Sequence, residues 1–225
     1  MKTSTIKSKF FSISGRLILW SLMLFCFVVQ PAKAQDTKKF AFGPGIGIGI
    51  GFFNPGGVNE YIKNDLGENT INGDLYLYEE VKAFLNFKTR WFDVVPMVEY
   101  AVGPKWVING DKSYFFNRLS PGATADFFIP MGISGKYAFF LGGGAQYHMM
   151  SFKGYKGEAI GYRFQFGFDL QFGSFNLQPT LYFNLANAKN GLPAEIDGYV
   201  FENRDLDYTG GGLCINMSFH KTVGH

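Results

Sequence analysis

The stretch that decides the fold runs from Tyr162 to Phe172 and reads Tyr-Arg-Phe-Gln-Phe-Gly-Phe-Asp-Leu-Gln-Phe. Large apolar residues alternate in it with polar residues or glycine. Because successive side chains of a β-strand point to opposite faces, one face of this strand is apolar and the other is polar. The polar face includes Arg163, Gln165 and Asp169. A barrel in lipid has this arrangement, with its apolar band outward and its lumen polar. The stretch therefore predicts a strand that crosses a membrane.

Residues 1–34 have the pattern of a secretory signal peptide. Four basic residues lie before an apolar run at residues 17–29. Ala32-Lys33-Ala34 then supplies a small-x-small cleavage pattern. The apolar run is shorter than the ~20 residues that a spanning helix needs, which disfavours an uncleaved anchor. We predict cleavage before Gln35, which leaves residues 35–225 as a single domain.

The net charge changes sign when the predicted signal peptide is removed. Five of the 21 basic residues and none of the 18 acidic residues lie in residues 1–34, so 16 basic and 18 acidic residues remain and the net charge is −2. The remaining chain has no basic stripe, and we expect no nucleic-acid partner. Cys214 is the only cysteine left, so no intramolecular disulfide can form.

Period-two alternation and turn residues predict eight antiparallel strands in the remaining chain. The predicted strands are 40–53, 79–89, 91–103, 114–128, 136–151, 159–172, 174–186 and 208–220. Tight turns are expected near Thr89-Arg90, Met131-Gly132 and Gly173-Ser174. Longer connections are expected at the other end: about 25 residues, then two medium loops, then a long loop from Asn187 to Asp207. Aromatic girdles are expected at both edges, formed by Trp91, Tyr137 and Phe172 and by Tyr100, Tyr147 and Tyr162.

The signal peptide, the eight amphipathic strands and the four unequal loops resemble the small outer-membrane β-barrels of Gram-negative bacteria, of the OmpA-barrel, OmpX and OmpW type. The resemblance implies an all-β, eight-stranded antiparallel up-and-down transmembrane barrel with short periplasmic turns and longer extracellular loops. It also implies an outer-membrane location, contact with outer-membrane lipid and lipopolysaccharide, and insertion by the barrel-assembly machinery. Such barrels usually end on an aromatic residue, a position that Phe219 would fill here, with six residues after it.

Charged residues of both signs share the inward parity. The interior of an eight-stranded barrel is just wide enough for side chains to fill. Because buried charges must be paired, we expect a network that plugs the lumen. Its predicted members are Lys82, Lys88, Asp93, Glu99, Arg118, Asp126, Arg163 and Asp169. A proton or ion pathway is the alternative interpretation of these charges.

Glycines also share the inward parity on three strands, so part of the wall lacks side chains. They are Gly45, Gly47, Gly49 and Gly51 on the first strand, Gly142 and Gly144 on the fifth, and Gly210 and Gly212 on the eighth. One interpretation is that long side chains from elsewhere fill this space and that the glycines ease the coiling of a small barrel. The other is a narrow cavity or lateral slot for a slender apolar ligand, as the resemblance to OmpW would allow.

No catalytic or metal-binding pattern is visible. His148 and Ser151 are three residues apart, which places them on opposite faces of one strand. His220 and His225 are expected to be surface or tail residues, and no His/Cys/carboxylate cluster has metal-ligand spacing. We therefore predict no enzyme activity and no cofactor.

The long loops are acidic. The first holds Glu60, Asp65, Glu68, Asp74, Glu79 and Glu80, and the fourth holds Glu195, Asp197, Glu202, Asp205 and Asp207. Solvated loops are the simple interpretation, and divalent cations that bridge to lipopolysaccharide phosphates are the functional one. Val58, Tyr61, Ile62 and Leu66 have helical spacing, which predicts a short helix across the barrel mouth. The sequence leaves two functions open: a structural or surface-interaction barrel, or a conduit or binding site for a small apolar ligand.

Overall fold

The computed structural model describes residues 40–54, 57–58, 60–61, 76–89, 91–103, 106–108, 112–114, 116–131, 136–152, 154–196 and 198–222. The predicted signal peptide lies outside these residues. Among the described residues, no helix has the length and apolar character needed to cross a membrane.

Eight long strands form one antiparallel sheet that closes on itself. They are β1 (Ala41–Phe53), β2 (Tyr76–Lys88), β3 (Phe92–Val102), β6 (Phe116–Met131), β7 (Tyr137–Phe152), β8 (Tyr155–Phe172), β9 (Phe175–Leu185) and β14 (Gly210–Phe219). Each pairs with the next in this order, and β14 pairs with β1 from Phe53↔Gly210 to Gly45↔Ser218. All eight predicted strands are confirmed, with ends that shift by at most four residues.

The remaining strands are short and belong to connections or to the chain end. They are β4 (Trp106–Ile108), β5 (Lys112–Tyr114), β10 (Asn187–Ala188), β11 (Glu195–Ile196), β12 (Tyr199–Val200), β13 (Leu206–Asp207) and β15 (Lys221–Thr222). Three pairs of them form two-stranded ladders outside the barrel, and β15 extends the barrel by pairing with Ala41 and Phe42.

The two faces of the sheet differ as the sequence predicts. On β8, Phe164 and Phe166 are 55% and 46% exposed, whereas Arg163 and Gln165 are 0% and 5% exposed. The same alternation continues around the other strands of the barrel. Most polar and charged side chains of the strands therefore face the lumen, while aromatic and aliphatic side chains cover the outside. The six predicted girdle residues are all exposed.

The barrel has a turn end and a loop end. The turn end carries the connections 89–91, 132–136 and 173–174, and Gly173 adopts a positive φ of 66° in the last of these. The loop end carries the connections 54–75, 103–115, 153–154 and 186–209. The third loop-end connection was predicted to be of medium length, and this is wrong. Pairing continues to Phe152↔Tyr155, so only a tight turn remains, in which Gly154 has a φ of 84°.

The first loop-end connection begins as predicted. Gly57, Val58, Glu60 and Tyr61 are helical, and Val58 and Tyr61 are 1% and 2% exposed. Ile62 and Leu66 lie outside the described residues. The helical residues thus pack inward onto the barrel mouth.

The assignment of faces predicts how a charge on the outside is tolerated. We expect Phe166→Arg to reduce the free energy of unfolding by about 2–4 kcal/mol, because a guanidinium near the bilayer centre loses its hydration. Ile160→Arg, near the loop end of the same face, is the matched control and should cost about 0–1 kcal/mol. Denaturant titrations in lipid vesicles measure both values. Equal effects of the two substitutions would contradict the assignment.

Candidate functional site: the lumen and the loop-end cap

The centre of the lumen is an ionic layer built from four strands. Both guanidinium groups of Arg118 and Arg163 donate hydrogen bonds to Glu99, with Arg163 Nη1 2.5 Å from Glu99 Oε2. Glu80 lies 3.9 Å from each arginine. All four residues are at most 2% exposed. Two cations and two anions compensate one another here, which offsets the cost of removing them from water.

Glu80 was assigned by sequence to the first loop, and this is wrong. Glu80 lies within the predicted strand 79–89 and within β2, which begins at Tyr76, and it has inward parity. Its neighbour Glu79 has the opposite parity and is exposed on the outside. Counting Glu80 with the acidic loop overlooked its position on the inward face of the strand.

Tyrosines cover the ionic layer on the side of the loop end. The guanidinium carbon of Arg118 lies 3.7 Å from the ring centre of Tyr208, and that of Arg163 lies 3.8 Å from the ring centre of Tyr182. Tyr182 Oη donates to Glu80 at 2.7 Å, so Tyr78 Oη, 2.8 Å away, donates to Tyr182. A desolvated cation–π contact contributes about 2 kcal/mol. These contacts join the ionic layer to the apolar residues above it.

Above the tyrosines, an apolar cluster closes the loop end, and we call it the loop-end cap. Its barrel side is an aromatic stack in which Phe53 lies 4.6 Å from Tyr208 and 4.8 Å from Phe116, measured between ring centres. The connections contribute further buried members: Val58, Tyr61, Leu192, Ile196, Phe201 and Leu206. The loop-end cap places apolar side chains over the mouth of the barrel.

Towards the turn end, the lumen holds a second ionic group. Lys88 Nζ lies 2.6 Å from Asp169 Oδ2, and Asn176 and Gln178 donate to Asp169 Oδ1 at 2.7 and 2.8 Å. Asp126 Oδ1 accepts from Gln165 at 2.8 Å. The lumen thus contains amide donors as well as cations.

The eight predicted network residues are all buried. The ion pairs among the described residues join Lys88 to Asp169 and the two arginines to Glu99 and Glu80. They do not include Lys82, Asp93 or Asp126. Lys82 Nζ lies 5.3 Å from the ring centre of Phe84.

His220 was expected to be a surface or tail residue, and this is wrong. It is 7% exposed and its Nε2 lies 2.9 Å from Asn86 Nδ2 and 3.0 Å from Ser218 Oγ. The strand direction is kept beyond Phe219 because β15 pairs with β1, and this holds His220 on the lumen side. His225 lies outside the described residues.

Neighbouring side chains occupy the space in front of the glycine-lined wall. A Cβ atom at Gly45 would overlap the ring of Phe84, one at Gly51 would overlap Tyr78, and one at Gly142 would overlap the carboxylate of Asp126. Long side chains from adjacent strands therefore lean across these glycines, which are close-packed positions.

A shallow apolar groove of about 730 Å³ lies on the outside of the same wall. Outward side chains line most of it, including Phe52, Phe164, Phe183 and Leu213. Gly211, which lies between Phe52 and Phe183 on the paired strands, has no side chain and leaves space among them. The groove therefore faces the surroundings of the barrel rather than its lumen.

One serine–histidine contact was missed by sequence reasoning. Ser120 Oγ lies 2.8 Å from His148 Nδ1, although the two residues are on different strands, and both are 0% exposed. Only the pairing of β6 with β7 reveals the contact, because the two residues are 28 positions apart. Among the described residues, no three His, Cys, Asp or Glu side chains are grouped so as to hold a metal ion.

A closed sheet of eight strands with a charged, buried interior and an apolar exterior is suited to a bilayer and to no aqueous compartment. The fold is that of a small outer-membrane barrel. The barrel lies in the outer membrane with its turn end towards the periplasm and its loop end towards the exterior, because short turns are periplasmic in this class.

Three solved structures are among those similar to this chain. Neisserial surface protein A is 12% identical, with a TM-score of 0.49 over 80% of this chain and 96% of that one. OprG from Pseudomonas aeruginosa is 9% identical, with a TM-score of 0.47 over 85% and 100% of the two chains. Ail, the attachment invasion locus protein of Yersinia pestis, in complex with the heparin analogue sucrose octasulfate, is 10% identical, with a TM-score of 0.46 over 81% and 99%. No family model matches the sequence, and no curated protein does. At these identities the likeness concerns the fold alone.

The shared carboxylate of the ionic layer predicts a large stability effect. Glu99→Gln leaves two buried guanidinium groups without their closest anion, and we expect it to reduce the free energy of unfolding by about 3–5 kcal/mol. Glu195→Gln, at an exposed position, is the control and should change it by less than about 0.5 kcal/mol. Urea titrations monitored by heat-modifiable gel mobility measure both. A Glu99→Gln barrel as stable as the control would show that the ionic layer does not stabilise the fold.

Proposed function

We propose that this protein is a structural or surface-interaction barrel of the outer membrane, with a closed lumen and with its activity at the loop end. The observation that supports the proposal most directly is the sequence of layers along the lumen. The Arg118–Glu99–Arg163 contacts cross the barrel at its centre, and the aromatic stack of the loop-end cap lies above them. Side chains that bind one another across the lumen leave the outer surface as the place for partners.

The loop-end surface has an acidic character that suits cation-mediated contact with lipopolysaccharide. Glu60, Glu195 and Glu202 are exposed there. Asp205 and Asp207 instead accept hydrogen bonds from the backbone N–H groups of Asn190 and Thr209, so they hold the fourth loop in shape. Carboxylate oxygens are hard ligands for Ca²⁺ and Mg²⁺. We infer that the exposed glutamates recruit divalent cations that also bind lipopolysaccharide phosphates. Asp65, Glu68, Asp74 and Asp197 lie outside the described residues.

The alternative function, binding of a small apolar ligand along the glycine-lined wall, has weaker support. The space on the lumen side of these glycines is occupied by Phe84, Tyr78 and Asp126. The groove at Gly211 lies on the outer side, where the bilayer supplies hydrocarbon chains. Lipid acyl chains are therefore the occupants that we propose for it.

Absence of enzyme activity is also part of the proposal. The Ser120–His148 pair is the arrangement most similar to a nucleophile with its base. Both residues lie at 0% exposure beneath the loop-end cap, where no substrate carbonyl can approach them.

A closed lumen predicts the electrical behaviour of the protein. In planar bilayers we expect no stable conductance from the purified barrel, because the crosslinked side chains exclude a continuous water column. A water-filled porin inserted in the same bilayer is the control for insertion and sensitivity. Reproducible single-channel steps from this protein would contradict the closed lumen and would favour a conduit.

The cation-mediated contact predicts a dependence on Mg²⁺. Binding of detergent-solubilised barrel to lipopolysaccharide aggregates should rise when millimolar Mg²⁺ is added and fall with chelator. The combined substitution Glu60→Gln, Glu195→Gln and Glu202→Gln should abolish the Mg²⁺-dependent part. Aggregates of a neutral phospholipid are the control, with which neither Mg²⁺ nor the substitutions should matter. Unchanged Mg²⁺ dependence in the triple variant would rule out these glutamates.

A further inference from the structure

The described lumen contains one more acid than base. Its buried carboxylates are Glu80, Asp93, Glu99, Asp126 and Asp169, and its buried cations are Lys82, Lys88, Arg118 and Arg163. The contacts of the two buried histidines indicate that both imidazoles are neutral. His220 Nε2 accepts from Asn86, and His148 Nε2 is buried without a partner that an imidazolium would need. An excess negative charge therefore remains in an enclosed space.

Four of the five carboxylates accept at least one hydrogen bond from a side chain. Glu99 binds both arginines, Glu80 accepts from Tyr182, Asp169 binds Lys88 and two amides, and Asp126 accepts from Gln165. Each of these contacts stabilises the ionised form.

Asp93 is the exception. It is 0% exposed, and neither of its carboxylate oxygens accepts a side-chain hydrogen bond among the described residues. Its donor is the backbone N–H of Phe87 on the neighbouring strand. In the ladders Asp93 lies opposite Lys88 on one side and opposite Asp126 on the other. Lys88 forms its ion pair with Asp169, at 2.6 Å. An ionised Asp93 would be a buried charge with a backbone donor but no ion-pair partner among the described residues, and with a second carboxylate on the neighbouring strand.

We propose that Asp93 is a proton-binding site, a carboxylic acid that stays neutral in the folded barrel at neutral pH. The proton makes the charges of the described lumen balance. It removes the repulsion between Asp93 and the carboxylates of Asp126 and Asp169, and it leaves Lys88 paired with Asp169. His220, which lies near Lys88 at the turn end, is neutral and therefore cannot act as a counter-ion to Asp93.

The proposal fixes the sign of a pH dependence. In the unfolded chain an aspartate is ionised above about pH 4. Folding therefore takes up one proton at Asp93, and a rise in pH favours the unfolded state. One such proton makes the unfolding equilibrium constant increase about tenfold per pH unit, beyond the contribution of all other groups.

The test compares the unfolding of the wild-type barrel, Asp93→Asn and Glu195→Gln between pH 5 and pH 8 in the same vesicles. Asparagine keeps the shape of the neutral acid and cannot take up the proton. We expect the wild-type slope to exceed that of Asp93→Asn by one proton, about tenfold per pH unit. Glu195→Gln removes an exposed carboxylate outside the lumen, and its slope should equal that of the wild type. Equal slopes for wild type and Asp93→Asn overturn the proposal, because the proton would then lie on another group.

Two further measurements separate a proton from a metal ion and remain valid if Asp93→Asn fails to fold. The infrared spectrum of the folded wild-type barrel at pH 7 should show the carbonyl band of a protonated carboxylic acid, which shifts in deuterated water. A spectrum without this band overturns the proposal. Exchange of Na⁺ for K⁺ or choline at constant ionic strength and pH should leave stability unchanged, and a specific requirement for Na⁺ or K⁺ would identify a metal ion as the ligand instead.

Discussion

The structure depends on one constraint: charges enclosed by a small barrel must be compensated inside it. Eight strands leave room for side chains and little else. Glu99 meets this constraint by accepting from both Arg118 and Arg163, and Glu80 supplies the second negative charge of the layer. Because the strands that carry these residues are not all neighbours, the layer joins opposite walls of the barrel. The exterior is then free to be mainly apolar, as a bilayer requires.

The glycines of β1 follow from the same constraint. A wall with side chains on every inward position would overfill the lumen. Gly45, Gly47 and Gly51 instead give room to Phe84, Asn216 and Tyr78, which lean across them from neighbouring strands. The tyrosines that cover the ionic layer then connect it to the loop-end cap. Polar centre and apolar cap are thus parts of one continuous packing arrangement.

Much of this arrangement was predictable from the sequence. The period of two identified all eight strands and assigned inward parity to the eight predicted network residues, because lipid on one side and polar side chains on the other give every strand a strong pattern. The partners of the charged side chains were harder to predict. Which acid meets which base depends on how side chains lean across the lumen, and the sequence carries no signal for that. Asp93 lies opposite Lys88, yet Lys88 binds Asp169.

The errors have local causes. Glu80 was counted with the first loop although it falls on the inward face of β2, and His220 was misplaced because the chain continues to pair after Phe219. The third loop-end connection was assigned too many residues because the amphipathic pattern fades at residues 152–158, although the backbone pairing continues. The Ser120–His148 contact was missed because it joins two strands. In each case the face of a residue followed from the sequence once the strand limits were known, and its partner did not.

The most direct test of the account is whether the aromatic residues of β8 touch hydrocarbon. Trp20, Trp91 and Trp106 are replaced by Phe. A single Trp is then introduced at Phe166 or, in a second protein, at the buried Phe140. Vesicles with brominated acyl chains quench a tryptophan that contacts them. The account predicts strong quenching at position 166 and little at position 140. Strong quenching at position 140 with none at position 166 would show that the lumen and lipid faces are assigned the wrong way round, and would contradict the account.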